Sequence, residues 1–154
     1  MRKTLMESLE EQKNTQGLYR MVFLGGTVGD TTWRDEIIQK LTIPYFNPVV
    51  EIWTEECRVK EELAKKEAEI HLYVISPKMT GSYSIAEMCA SAFIERYKTV
   101  VVVFLNEDGE HKFADSQIKS NNAIIELLKD KCYCQELAWF DTLDEAANYI
   151  NNKK

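Results

Sequence analysis

Thr99-Val100-Val101-Val102-Val103-Phe104-Leu105 is the stretch that decides the fold. It holds four consecutive valines and no charge. β-Branched residues suit a pleated strand, and an apolar run without alternation implies that both strand faces are covered. Such strands belong to parallel sheets sandwiched between helices. The segment is therefore predicted to be a central strand, and the flanking sequence tests that prediction.

Upstream, residues 84–97 read as an apolar helix and residues 70–75 as a second buried strand. Ser76-Pro77 ends that strand, and Thr80-Gly81-Ser82 forms a loop. Thr54 can cap a charged helix that runs to about residue 68. Residues 43–46 read as a short strand stopped by Asn47-Pro48. Thr32 can cap a helix over 33–41, with Asp35 and Glu36 in its first turn. Residues 18–24 are an apolar strand running into a turn at Gly25-Gly26-Thr27. Downstream, residues 106–112 read as an exposed loop, 115–131 as a helix, 137–140 as a short strand and 143–152 as a terminal helix. Residues 1–17 are polar, and Leu5, Met6 and Leu9 give a short stripe that predicts an N-terminal helical extension.

The order βαβαβαβαβα defines an α/β protein with a five-stranded, mainly parallel sheet and helices on both faces. No linker or repeat interrupts the pattern, so residues 1–154 are read as one domain.

Charge narrows the function. The net charge is −6, and an acidic surface repels phosphate backbones, which argues against nucleic acid as a partner. Lys65-Lys66 and Lys153-Lys154 look like solvated faces and tails. No apolar run approaches a membrane span, and the basic Met1-Arg2-Lys3 lacks the apolar stretch of a signal peptide. Cys57, Cys89, Cys132 and Cys134 lack zinc spacing and read as reduced thiols of a cytoplasmic protein, with no metal expected.

In parallel sheets a ligand sits beyond the carboxyl ends of the strands. That rule selects residues 25–33, 47–53, 76–87 and the loop after Leu105. Gly25 and Gly26 let a ligand approach the backbone, although a tight turn needs glycine equally. Glu87 follows a glycine loop among Ser84, Ile85, Ala86, Met88 and Cys89. Its carboxylate reads either as a capping partner of Ser84 or as a nucleophile at a cleft mouth. Glu61, Glu62 and Glu69 belong to a charged helix and its end. Trp33 and Trp53 read as core or as stacking surfaces for a base. His71 and His111 have no Cys or Asp partner nearby and are read as non-catalytic.

Together these motifs resemble the nucleoside 2-deoxyribosyltransferase-like family. Four stretches match in order over roughly residues 20–105. They are Phe23-Leu24-Gly25-Gly26-Thr27 with Trp33, Phe46-Asn47-Pro48 with Trp53, Ala68-Glu69-Ile70 leading into Val74-Ile75-Ser76, and Gly81 through Ser84-Ile85-Ala86-Glu87-Met88. The resemblance implies a flavodoxin-like three-layer sandwich that cleaves the N-glycosidic bond of a nucleoside or nucleotide. It implies no cofactor, and a homo-oligomer in which a neighbouring subunit often completes the site. It carries the nucleophile onto Glu87 and a base-contacting acid onto Glu61. Glu69 takes the place of the family's usual Asp. Substrate contacts are expected from Gly25, Gly26, Thr27, Trp33, Asn47, Trp53, Ser76, Gly81 and Ser84. At Gly81 several classical transferases have an acid, so both transfer and hydrolysis stay open. Ile75-Ser76-Pro77 also resembles Toll/interleukin-receptor-like domains that cleave NAD, but their usual Trp-Cys before the glutamate is absent. A nucleotide-binding module without catalysis is the third reading.

Overall fold

The computed structural model describes residues 13–153. The main sheet contains β1 (Tyr19–Gly26), β2 (Tyr45–Phe46), β3 (Ala68–Ile75), β4 (Thr99–Phe104) and β7 (Glu136–Phe140). Its strand order is β2-β1-β3-β4-β7, and every neighbouring pair is parallel. Four helices connect the strands, α1 (Trp33–Lys40), α2 (Glu55–Glu67), α3 (Tyr83–Ile94) and α4 (Asp115–Lys131), and α5 (Leu143–Asn152) follows the last strand. This is the flavodoxin-like order, with the chain reversing its direction of travel between β1 and β3.

The valine run explains the layers. Val101 and Val103 pack on one face with Trp33 and Ile37 of α1 and Ala146 and Ile150 of α5. Val100 and Val102 pack on the other face with Met88 and Ala92 of α3 and Leu128 of α4. Both faces of β4 are therefore buried, as its composition requires. The strand lies between β3 and β7, and β3 occupies the middle of the sheet. On the same face as α3, α2 sets Ala64 against Tyr19, Met21 and Phe23 of β1. Caps set two helix starts: Thr54 Oγ1 accepts from Cys57 N–H at 3.2 Å, and Thr142 Oγ1 accepts from Glu145 N–H at 3.3 Å.

Four local expectations need correction. Gly25 and Gly26 are the last residues of β1, paired with Tyr73 and Val74, rather than a turn after it. Helix α3 starts one residue earlier than expected, at Tyr83, and stops at Ile94, because the chain turns there to bury Lys98 ahead of β4. The loop after Leu105 forms a small antiparallel hairpin, β5 (Glu107–Asp108) and β6 (His111–Lys112). Gly109 supplies the positive φ of 62° that its two-residue turn needs. Residues 13–17 make a turn closed by Asn14 Oδ1, which accepts from Gln16 and Leu18 N–H, and not a helix. The rest of the expected N-terminal helix, residues 1–12, lies outside the described residues.

Candidate active site

A cavity of about 530 Å³ opens at the carboxyl ends of β1, β2 and β3, where the chain reverses direction. Its floor is Phe23, Gly25 and Gly26. The loop after β2 contributes Pro48, Val49, Val50 and Trp53. The loop after β3 and the start of α3 contribute Met79, Thr80, Gly81, Tyr83, Ser84 and Glu87. Thr27, Arg34 and Glu61 complete the polar wall.

The two glycines are needed for close packing. A Cβ on Gly25 would lie 2.6 Å from the Tyr73 ring. A Cβ on Gly26 would lie 2.2 Å from the Val74 carbonyl oxygen, and its φ of +124° is strained for any side chain. Their lack of side chains lets β1 approach β3 closely and leaves the floor open. No atom lies within 4 Å of a Cβ built on Gly81, which faces open space.

Glu87 does not cap its helix. Ser82 is the cap residue of α3, with no side-chain cap bond, and Ser84 lies inside the first turn. The Glu87 carboxylate instead meets Lys65, with Nζ 2.6 Å from Oε2. Those side chains are 28% and 19% exposed. Lys65 was expected on a solvated face. It lies in the last turn of α2 with its ammonium 5.8 Å from the Phe23 ring and 6.0 Å from the Tyr73 ring. Burial pulls its pKa down, but Tyr73 and the Glu87 carboxylate outweigh burial and hold it above the ordinary lysine range.

Glu61, one turn earlier on α2, lines the same cavity. Its carboxyl is held above the usual range, first by burial and then by the charge of Glu87, with Lys65 and Arg34 pulling the other way. The two carboxyls thus occupy different environments, the usual basis for dividing acid and nucleophile roles. Arg34 has all of its guanidinium nitrogens on main-chain carbonyls: Nε on Leu24, Nη1 on Thr27, and Nη2 on Leu24 and Gly26. Burial lowers its pKa to about 10, against the pull of Glu61 and Glu87, so it stays charged at neutral pH. It fixes the end of β1 while supplying positive charge beneath two carboxylates.

Several expected site residues lie elsewhere. Trp33 is 1% exposed and donates its indole N–H to Thr27 carbonyl oxygen, so it belongs to the core and offers no stacking face. Glu69 is at the amino end of β3, six residues before Ile75, which puts it roughly 20 Å from the cavity end of the strand. Asn47 closes its own turn, accepting from Val49 N–H, and its neighbour Pro48 lines the cavity in its place. Ser76 is buried as a latch. Its N–H donates to Thr27 Oγ1 at 3.0 Å, and its hydroxyl donates to Asp108, which also accepts from Thr31 Oγ1 at 2.6 Å. Burial raises the Asp108 carboxyl, but the bonds from Ser76 and Thr31 and the charge of Lys78 hold it below its usual range. Trp53 is 56% exposed and does line the cavity, with Tyr83, 77% exposed, also on its wall. Lys65, Arg34 and Tyr83 gave no signal in the sequence that marked them as site residues. Among the described residues no group of three or more His, Cys, Asp or Glu side chains could hold a metal ion, and no helix is long and apolar enough to cross a membrane.

Fold and cleft define a doubly wound α/β protein with a carboxylate-lined pocket at its switch point. A family model described as "Nucleoside 2-deoxyribosyltransferase like" matches residues 19–107, and the chain belongs to that family. The matched span contains β1 to β4 and every residue lining the cavity. No curated protein and no solved structure matches the chain significantly.

Proposed function

We propose that the protein cleaves the N-glycosidic bond of a nucleoside or nucleotide, with Glu87 as nucleophile and Glu61 as the acid that serves the leaving base. The observation that carries this reading is the pair of carboxyls lining one cavity, Glu87 charge-paired with Lys65 and Glu61 pushed toward its protonated form. The cavity volume of about 530 Å³ falls within the range of small-molecule pockets, roughly 300–1,000 Å³. Trp53 and Tyr83 offer exposed aromatic surface for a planar base.

The chemistry follows from charge. Glu87 bonds to the anomeric carbon as the C–N bond breaks through an oxocarbenium-like state. The bonding electrons leave with the base, and the base takes a proton from Glu61. Water, or an incoming base, then attacks the same carbon and releases Glu87 as a carboxylate. Ionised Glu61 accepts the proton of that nucleophile.

Four free cysteines fit a cytoplasmic setting. The apolar rim of Val49, Val50, Ile52 and Trp53 supports self-association. The test is incubation with ribo- and deoxynucleosides, their 5′-monophosphates and NAD, with and without a second base, reading free base by chromatography. Release from nucleosides or nucleotides is expected, and exchange with the second base marks transfer. Cleavage of NAD alone, or binding without release, would overturn the reading.

A further inference from the structure

Lys65 and Glu87 are 22 residues apart, on different helices, and their side chains form a part-buried ion pair. Other pairs on α2, such as Arg58 with Glu62, are exposed and local, the kind that contributes little. Lys65 is also gripped from behind. Its carbonyl oxygen accepts from His71 Nε2 at 2.6 Å and from Lys98 Nζ at 2.5 Å. Lys98 bonds the Lys66 carbonyl at 2.7 Å as well, so its ammonium closes the carboxyl end of α2. His71 Nδ1 in turn meets Ser91 Oγ at 3.0 Å. Burying a lysine and a histidine is costly, and the product of this arrangement is a fixed main chain at Lys65.

The side chain then has little freedom. It passes the Phe23 and Tyr73 rings and ends on the carboxylate of Glu87. Arg34, the cation that lines the cavity itself, has its guanidinium committed to main-chain carbonyls at the end of β1, whereas Lys65 meets the site through Glu87. We propose that Lys65 is the positioning residue of this site. It holds Glu87 as an aimed anion, then stabilises that carboxylate as leaving group when the glycosyl–enzyme bond breaks.

This role rests on Glu87 being the nucleophile. In the first step the oxygen of Glu87 forms the ester as the C–N bond breaks, and the base leaves with the proton of Glu61. The charge of Glu87 thus disappears and Lys65 loses its paired carboxylate. In the second step water bonds to the anomeric carbon, the ester C–O bond breaks, and the electron pair returns to Glu87. Lys65 is already in place to receive that charge, with no reorganisation required.

The experiment uses the full chain as wild type, Lys65→Met, Lys65→Arg and Glu87→Gln. Free base is followed from the nucleoside or monophosphate that the wild type cleaves. Lys65→Met should lower kcat by about 100-fold, the loss expected for a misplaced reacting group, with KM little changed. Lys65→Arg should recover part of that loss. Separately, reductive methylation with ¹³C-formaldehyde lets each lysine be titrated by NMR, and Lys65 is assigned by its absence in Lys65→Arg. Its midpoint should be lower in Glu87→Gln than in wild type. Unchanged kcat in Lys65→Met, or equal damage in Met and Arg variants, would overturn the proposal. A wild type that releases no base overturns the proposed function instead. The titration then decides the pairing alone: a lowered midpoint supports it and an unchanged midpoint overturns it.

Discussion

Lys98 Nζ lies 3.2 Å from Nε2 of His71 in the interior of the protein. Two charged groups at that separation would repel strongly where solvent is excluded. Burial, and then the charge of Lys98, lower the His71 pKa to about 3, so the imidazole is neutral. Burial likewise lowers Lys98 to about 8, with Glu95 raising and Lys65 lowering it, and the carbonyls of Lys65 and Lys66 accept from its ammonium. Among the described residues every buried side-chain nitrogen and oxygen has a hydrogen-bond partner.

That neutral histidine predicts sensitivity to mild acid. Unfolded His71 takes up a proton near pH 6.5, but the folded protein resists until about 3. The stability it contributes is complete above pH 6.5 and is lost as pH falls toward 3. The loss is about 1.4 kcal/mol per pH unit for one proton. Denaturant melts at pH 7.0, 6.25 and 5.5 should show it, above the range where most carboxylates protonate. His71→Gln should start less stable and show a flatter dependence. Parallel slopes in the two proteins would contradict this account.

Gly26 and Gly81 should behave oppositely. Gly26→Ala places a methyl 2.2 Å from Val74 carbonyl oxygen at a φ of +124°, which should cost roughly 3 kcal/mol or prevent folding. Gly81→Ala meets nothing within 4 Å and should stay within about 0.5 kcal/mol of wild type. Thermal unfolding of both variants checks this pair.

The sheet was legible because its evidence is periodic. The valine run, the strand–helix alternation and the cap at Thr54 each act locally, whereas Thr32, which also reads as a cap, makes no side-chain cap bond. Gly25, Gly26 and Glu87 were legible as cleft residues because glycine and an isolated carboxylate stand out at strand ends. Lys65 was not, since in sequence it is one more charge on a charged helix. Its meaning comes from Glu87, 22 residues away. Arg34 was hidden for the same reason, because its partners are main-chain carbonyls that carry no sequence signature. Trp33 and Glu69 misled because a motif gives the order of residues but not which way a side chain points or which end of a strand it occupies.

Glu61 should matter in proportion to the basicity of the leaving base. Glu61→Gln removes the proton donor but keeps the shape. Release of a purine or pyrimidine that needs a proton should slow by about 10²–10⁴-fold. A base that departs readily as an anion should be much less affected. Comparing the two substrates on the same variant separates acid catalysis from lost binding, and equal slowing of both would argue against the acid role.

The proposed mechanism requires a covalent bond between Glu87 and the sugar. The direct measurement is acid quenching during turnover, followed by proteolysis and mass spectrometry of the peptide that contains Glu87. A glycosyl adduct is expected on Glu87 and none in Glu87→Gln, a variant that should keep the native fold, with a lower melting temperature from the lost Lys65 pair, while releasing no base. An enzyme that turns over with no adduct on Glu87, and keeps its rate in Glu87→Gln, would contradict it.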